Sequence, residues 1–193
     1  MSTAPFLLAF GDSLTAGYGL ARHESFPAQL EKLLRERHPG AVVHNAGLSG
    51  DTTAGGRARL TRVLSSLGRR PDLTILELGA NDILRGMSPD QMRANLGWMV
   101  EELKRCGIPV LLAGTIVPTF LGAYAQRYNA VFPAVAAEHK VAFDPHFLDG
   151  VAGVPGLTLA DRLHPNARAI GIVARRVLPL VEAALDLRER AAA

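Results

Sequence analysis

In the stretch Phe10-Gly11-Asp12-Ser13-Leu14 a serine directly follows an apolar run, where a strand would hand over to a helix whose first N–H groups have no internal partner. A hydroxyl placed there becomes a nucleophile only if a base stands beside it. Six histidines are available, and His164 alone lies in Asp161-Arg162-Leu163-His164-Pro165, with a carboxylate three residues earlier. In a tight turn that carboxylate accepts the imidazole Nδ1–H, which fixes the tautomer and leaves Nε2 free to take a serine proton. Pro165 keeps His164 out of helical geometry, and Asn166 is suited to cap a helix beginning just after it. His146, after Asp144-Pro145, is the weaker rival; His38 belongs to the helix stop His38-Pro39-Gly40, and His23, His44 and His139 read as surface or core residues.

Acyl transfer also needs donors where negative charge builds on the carbonyl oxygen. Three suggest themselves: the side-chain amide of Asn81 in Gly79-Ala80-Asn81-Asp82, the N–H of Gly50 in Ser49-Gly50-Asp51, and the N–H of Ser13 itself. Each has a plainer reading. Asp12-Ser13 suits an ordinary helix cap, Gly50 and Asn81 suit turns between a strand and a helix, and His164 alone is as well read as structural. Their joint placement gives the chemical reading its weight.

Five short apolar runs supply the elements that would bring them together: Phe6–Phe10, Val42–His44, Leu73–Leu78, Ile108–Ala113 and Val141–Phe143. Between and after them, residues 25–38, 52–67, 88–106, 124–139 and 166–190 carry apolar side chains at helical spacing. Ser88 is placed to cap its helix with Pro89 in the first turn, and Pro179 should kink or split the last one. Alternation of this kind, with nearly uncharged strands, predicts a parallel sheet of about five strands covered on both faces, a three-layer, flavodoxin-like α/β fold. Right-handed crossovers put every strand's C-terminal end on one edge, where ligands bind. Ser13, Gly50 and Asn81 all fall just past strand ends.

Four blocks in this order are similar to those of the SGNH hydrolases of the GDSL family: Phe10-Gly11-Asp12-Ser13-Leu14-Thr15-Ala16-Gly17-Tyr18, Asn45-Ala46-Gly47-Leu48-Ser49-Gly50-Asp51-Thr52, Gly79-Ala80-Asn81-Asp82, and Asp161-Arg162-Leu163-His164-Pro165-Asn166. Glu77-Leu78-Gly79 and Arg127-Tyr128-Asn129 resemble the bacterial acyl thioesterase, lysophospholipase and arylesterase branch. The resemblance implies one SGNH hydrolase domain over residues 1–193. Ser13 would be the nucleophile, His164 the base and Asp161 its orienting acid, with Ser13, Gly50 and Asn81 forming the oxyanion hole. The expected activity is hydrolysis of short- to medium-chain acyl or aryl esters, with thioesters and lysophospholipids as further candidates. No metal or other cofactor is required. Neither Gly11-Asp12-Ser13-Leu14-Thr15 nor Gly47-Leu48-Ser49-Gly50-Asp51 fits the G-x-S-x-G elbow of α/β-hydrolases, and Ser49 is the one local rival to Ser13.

The loop Thr115-Ile116-Val117-Pro118-Thr119-Phe120-Leu121-Gly122 is largely apolar, so Ile116, Val117, Pro118 and Phe120 are expected to wall the substrate site, with Leu14, Leu84 and Met87 adding to it. Trp98 falls mid-helix and reads as core. A carbohydrate O-acetylesterase on the same residues is the alternative enzyme. The non-enzymatic alternative is a phosphate- or flavin-nucleotide-binding module on the Gly11–Gly19 loop, though neither G-x-G-x-x-G nor G-x-x-x-x-G-K-[ST] is present.

The remaining composition narrows the field. A net charge of +3, in which all but three of the 21 basic residues are arginine, is spread along the chain and neutralised locally, which argues against a nucleic-acid partner. The single cysteine, Cys106, allows no internal disulfide. Residues 106–126 carry no charge, yet Pro109, Gly114, Pro118 and Gly122 make that stretch a strand and loop rather than a membrane span. The N-terminus lacks a basic n-region and a cleavage site, so the chain as written is expected to be cytoplasmic, or periplasmic or secreted had a leader been removed; its oligomeric state is left open.

Overall fold

The computed structural model describes residues 4–192. Five strands, β1 (Phe6–Gly11), β2 (Val42–Gly47), β3 (Leu73–Glu77), β4 (Val110–Ala113) and β5 (Ala142–Asp144), form one parallel sheet in the order β2-β1-β3-β4-β5. The helices are α1 (Ser13–Ala16), α2 (Phe26–Leu34), α3 (Thr53–Ser66), α4 (Ala80–Leu84), α5 (Pro89–Arg105), α6 (Ala123–Asn129), α7 (Val131–His139) and α8 (Ala167–Ala192). The expected three-layer fold is therefore present.

β1 is buried along its whole length, and its period-two alternation sends side chains to two cores. Leu7, Ala9 and Ile75 pack with Phe26 and Leu30 of α2 and Val173 and Val177 of α8. Leu8, Phe10 and Leu76 pack on the other face with Leu60, Met99, Leu103 and Phe132 from α3, α5 and α7. Between β1 and β3 the chain changes direction across the sheet. That switch point opens a crevice at the strands' C-terminal ends, and the residues following β1, β2, β3 and β4 border it.

Several boundaries differ from expectation for identifiable reasons. β2 continues three residues past His44, because Asn45, Ala46 and Gly47 stay in register with Ala9, Phe10 and Gly11 despite lying at a sheet edge. β4 begins at Val110, after Pro109, whose missing N–H cannot join the ladder. The 124–139 pattern divides at Ala130 into α6 and α7, since Pro133 cannot donate to the carbonyl of Asn129. Conversely, α8 runs unbroken through Pro179: a proline removes one helical hydrogen bond, while buried Val173, Val177 and Val181 hold both halves to the sheet. Ser88 occupies the cap position of α5 without a side-chain bond to it. Asn166 does cap α8, its Oδ1 accepting the Ala169 N–H at 3.1 Å. No helix among the described residues is long and apolar enough to cross a membrane.

Candidate active site

Asp12, not Ser13, caps α1: its Oδ1 accepts the Leu14 N–H at 3.0 Å. Ser13 is thereby the first helical residue, free of capping duty, and its hydroxyl faces across the crevice. Its Oγ lies 3.0 Å from Nε2 of His164. The His164 Nδ1 lies 2.6 Å from Oδ2 of Asp161, whose Oδ1 accepts the N–H groups of Leu163 and His164, each at 3.0 Å. The Leu163 N–H first, and then His164, hold the Asp161 carboxyl down at about 2, so it stays an acceptor at neutral pH. The segment is fastened by the Leu159 N–H to the His164 carbonyl and by an isolated antiparallel bridge between Thr158 and Pro165. The Tyr18 ring stacks on the imidazole with centroids 4.4 Å apart.

The expected donors converge on the same edge. Ser13, Gly50, Asn81 and His164 line one cavity of about 660 Å³. Gly50 follows β2 with φ at +79°, a left-handed conformation that glycine adopts without strain. No residue among those described accepts the N–H of Ser13 or of Gly50. The Asn81 Nδ2 donates to Asp12 Oδ2 at 3.0 Å, and an amide carries a second N–H. A preorganised set of donors beside a hydroxyl–imidazole–carboxylate relay is the equipment for attack on a carbonyl through an oxyanion.

The rest of the cavity wall is mainly apolar. Leu14, Leu84, Ile116, Val117 and Pro118 line it as anticipated, joined by Ile83, Leu121, Tyr124 and Leu148, which the sequence did not single out. Phe120 does not line it. Pro118 and Leu121 are three apart in a one-turn 3₁₀ segment and face the cavity together, which turns Phe120 outward to 84% exposure. Met87 is also outside the wall. The loop is braced by Asn129, which accepts the Val117 N–H at 2.8 Å and donates to the Val117 carbonyl at 2.9 Å, and by the Tyr124 hydroxyl, which donates to the Ile83 carbonyl. Ser49 lines the cavity without a histidine partner. His146 stands away from it, its carbonyl accepting from Arg176.

Beneath the serine lies a polar layer that sequence reasoning missed. Glu77, fully buried at the end of β3, accepts the Thr15 hydroxyl at 2.8 Å and the Asp12 N–H at 3.4 Å. A Cβ at Gly11 would meet Glu77 Oε2 at 2.6 Å and Thr15 Oγ1 at 2.1 Å, so only glycine leaves room for this carboxylate. Burial pushes the Asp12 carboxyl up to about 6 and the Glu77 carboxyl well above its usual range, the latter helped by the charge of Asp12. Arg59 of α3 binds the first two blocks together. Its Nε pairs with Asp51 Oδ2 at 2.7 Å, its Nη1 donates to the Ala46 carbonyl at 2.8 Å and its Nη2 to the Gly11 carbonyl at 3.0 Å, while its guanidinium covers the Phe10 ring at 3.9 Å. Asp82 ties the third block to the start of α3, just past the second block, by accepting the Thr53 N–H at 2.9 Å. A charged residue at the end of an otherwise apolar strand was the available signal for Glu77; an inward-facing arginine carries none.

Residues 9–169 match the GDSL-like lipase/acylhydrolase family. Esterase TesA of Pseudomonas aeruginosa is 40% identical over 182 residues, 94% of this chain and 90% of the relative. An arylesterase of Vibrio mimicus is 38% identical over 84% of this chain and 81% of its own length. Thioesterase 1/protease 1/lysophospholipase L1 of Escherichia coli K12 is 33% identical over 93% and 86%. The crystal structure of TesA superposes with a TM-score of 0.87 at 40% identity, covering 93% of this chain and 99% of that one.

Proposed function

The chain belongs to the GDSL-like lipase/acylhydrolase family and is a carboxylic ester hydrolase, and from that premise we propose that it acts as one domain that cleaves short- to medium-chain acyl and aryl esters through an acyl-enzyme on Ser13. The observation that carries the reading is the continuous relay from Asp161 through His164 to Ser13, at 2.6 and 3.0 Å, opening into an apolar cavity.

In the cycle, Ser13 Oγ adds to the ester carbonyl while His164 Nε2 takes its proton. The carbonyl oxygen, now negative, is met by the N–H groups of Ser13 and Gly50 and the free amide N–H of Asn81, each such donor lowering the barrier by roughly 3–4 kcal/mol. His164 then gives its proton to the departing alkoxide, water enters, and the same base activates it against the acyl-enzyme. Asp161 stays ionised and holds the imidazolium that forms in each half.

The wall of Ile83, Leu84, Ile116, Val117 and Leu121 supports an acyl chain or an aryl ring as the bound group. Each methylene buried there contributes about 0.8 kcal/mol, so kcat/KM should rise roughly fourfold per CH₂ until the cavity is filled. Thioester and lysophospholipid cleavage follow from the same chemistry, because the leaving group need only accept a proton. The test is labelling with a fluorophosphonate followed by mapping of the modified peptide, together with a p-nitrophenyl ester series from acetyl to dodecanoyl. Labelling at Ser13, its loss in Ser13→Ala, and rates that climb with chain length are expected. Label on another residue, or turnover that survives Ser13→Ala, overturns the assignment.

A further inference from the structure

Asp12 has no place in the cycle above, yet it contacts both Ser13 and Asn81. It is fully buried. Its Oδ1 takes the Leu14 N–H at 3.0 Å and lies 3.5 Å from Ser13 Oγ, and its Oδ2 takes Asn81 Nδ2 at 3.0 Å. The backbone beneath it is anchored, because Glu77 accepts the Asp12 N–H and the Thr15 hydroxyl.

We propose that Asp12 is a positioning residue that orients the Asn81 amide, holding its N–H face rather than its oxygen toward the reacting carbonyl. The inference rests on the reading of Asn81 as an oxyanion donor. An amide presents an oxygen on one side and an NH₂ on the other, and nothing in its shape decides which way round it sits. A carboxylate only accepts. Against Asp12 Oδ2 the amide therefore has one favourable orientation, with the NH₂ inward, one N–H spent on Asp12 and the other directed to the cavity that Asn81 lines. Turned over, Asn81 would set its oxygen against that of the fully buried Asp12 carboxylate, and would offer a lone pair where charge must be received. Asp12 cannot swing to accommodate the change, because its other oxygen is committed to the helix cap.

The substitution Asp12→Asn inverts this polarity with little change in shape. Its oxygen can keep the cap on Leu14, which leaves its NH₂ facing Asn81 and turns the Asn81 oxygen inward. Steady-state kinetics of the full-length chain would be compared for wild type, Asp12→Asn, Asn81→Ala and the double variant, with urea midpoints to confirm folding. Asn81→Ala should lower kcat about 10²–10³-fold. Asp12→Asn should lower kcat by a similar factor, with KM within about twofold, since the lost interaction forms only in the transition state. The double variant should be no slower than Asn81→Ala, because both changes delete the same donor. If Asp12→Asn does not fold, Asp12→Ser retains a cap and releases Asn81 to both orientations, and a kcat loss that vanishes in the Asn81→Ala background is again expected. Losses that multiply in the double variant, or a kcat for Asp12→Asn within about threefold of wild type, would overturn the inference and leave the oxyanion reading standing. Wild-type kcat in Asn81→Ala would overturn that reading and the inference with it.

Discussion

Replacing Arg59 with alanine should cost more than any substitution on the cavity wall. The side chain is 11% exposed and that of its partner Asp51 5%, so the pair is effectively desolvated. Its removal takes a charged donor from the Asp51 carboxylate and from the carbonyls of Ala46 and Gly11 at once, leaving Asp51 with the Thr52 N–H and Gly11 with the Leu48 N–H. Breaking a buried ion pair from one side costs about 3–5 kcal/mol. For a domain of this size that corresponds to a melting temperature lowered by roughly 6–20 °C. The damage should reach the chemistry too, because Asp51 is the residue after Gly50 and the Gly11 carbonyl lies one residue before the Asp12 cap. In the fraction that remains folded, kcat should fall about 10–100-fold through a displaced Gly50 N–H. Arg59→Lys keeps the charge but not the planar fork, and should recover part of the stability and little of the geometry. Differential scanning calorimetry and esterase kinetics below the transition would measure both. A midpoint shift under about 2 °C for Arg59→Ala would refute the clasp, and unchanged kcat at a lowered midpoint would refute its link to Gly50.

Other outcomes follow from the same geometry. Asp161→Asn should lower kcat about 10²–10⁴-fold with little effect on KM, since it removes the group that fixes the imidazole tautomer; a pre-steady-state burst of p-nitrophenol would show whether acylation is the step slowed. Burial holds the Asp12 carboxyl near 6 in the folded state against 3.8 otherwise, so the folded chain binds the extra proton between those values. That contribution to stability is complete below the lower value and is lost as pH rises through the upper one. Urea titrations at about pH 4 and pH 7 should therefore show a fall across this window that is smaller in Asp12→Asn, the buried Glu77 carboxyl supplying the part that persists, and an identical slope in the variant would exclude Asp12 as a source. Phe120→Ser should leave kcat/KM for an octanoyl ester within about twofold, while Leu121→Ala should lower it about tenfold, because only the second side chain lines the cavity.

Much of this was readable in the residues. Five apolar runs gave the sheet, and the four blocks gave the relay, because each block is local and keeps its chemistry within a few positions. What escaped was contact between elements distant in the chain. Glu77 and Thr15 are 62 positions apart and Asn81 and Asp12 are 69 apart, so neither pairing leaves a periodic trace. The division at Ala130 was missed because the apolar spacing runs across it, although Pro133 marked the place. Phe120 was misplaced by composition, since an apolar loop does not reveal which of its side chains faces inward until the turn type is known.

Asp161 and His164 sit on a single turn whose own N–H groups tether the acid to the base. The pair is consequently a portable unit, held together by short-range bonds within one turn. The scaffold has to set a single spacing, from that turn to the hydroxyl opposite. Insertions and deletions in the long chain between leave the relay intact so long as that spacing holds, and a transplant of the turn onto another strand-to-helix junction would carry the acid–base pair along.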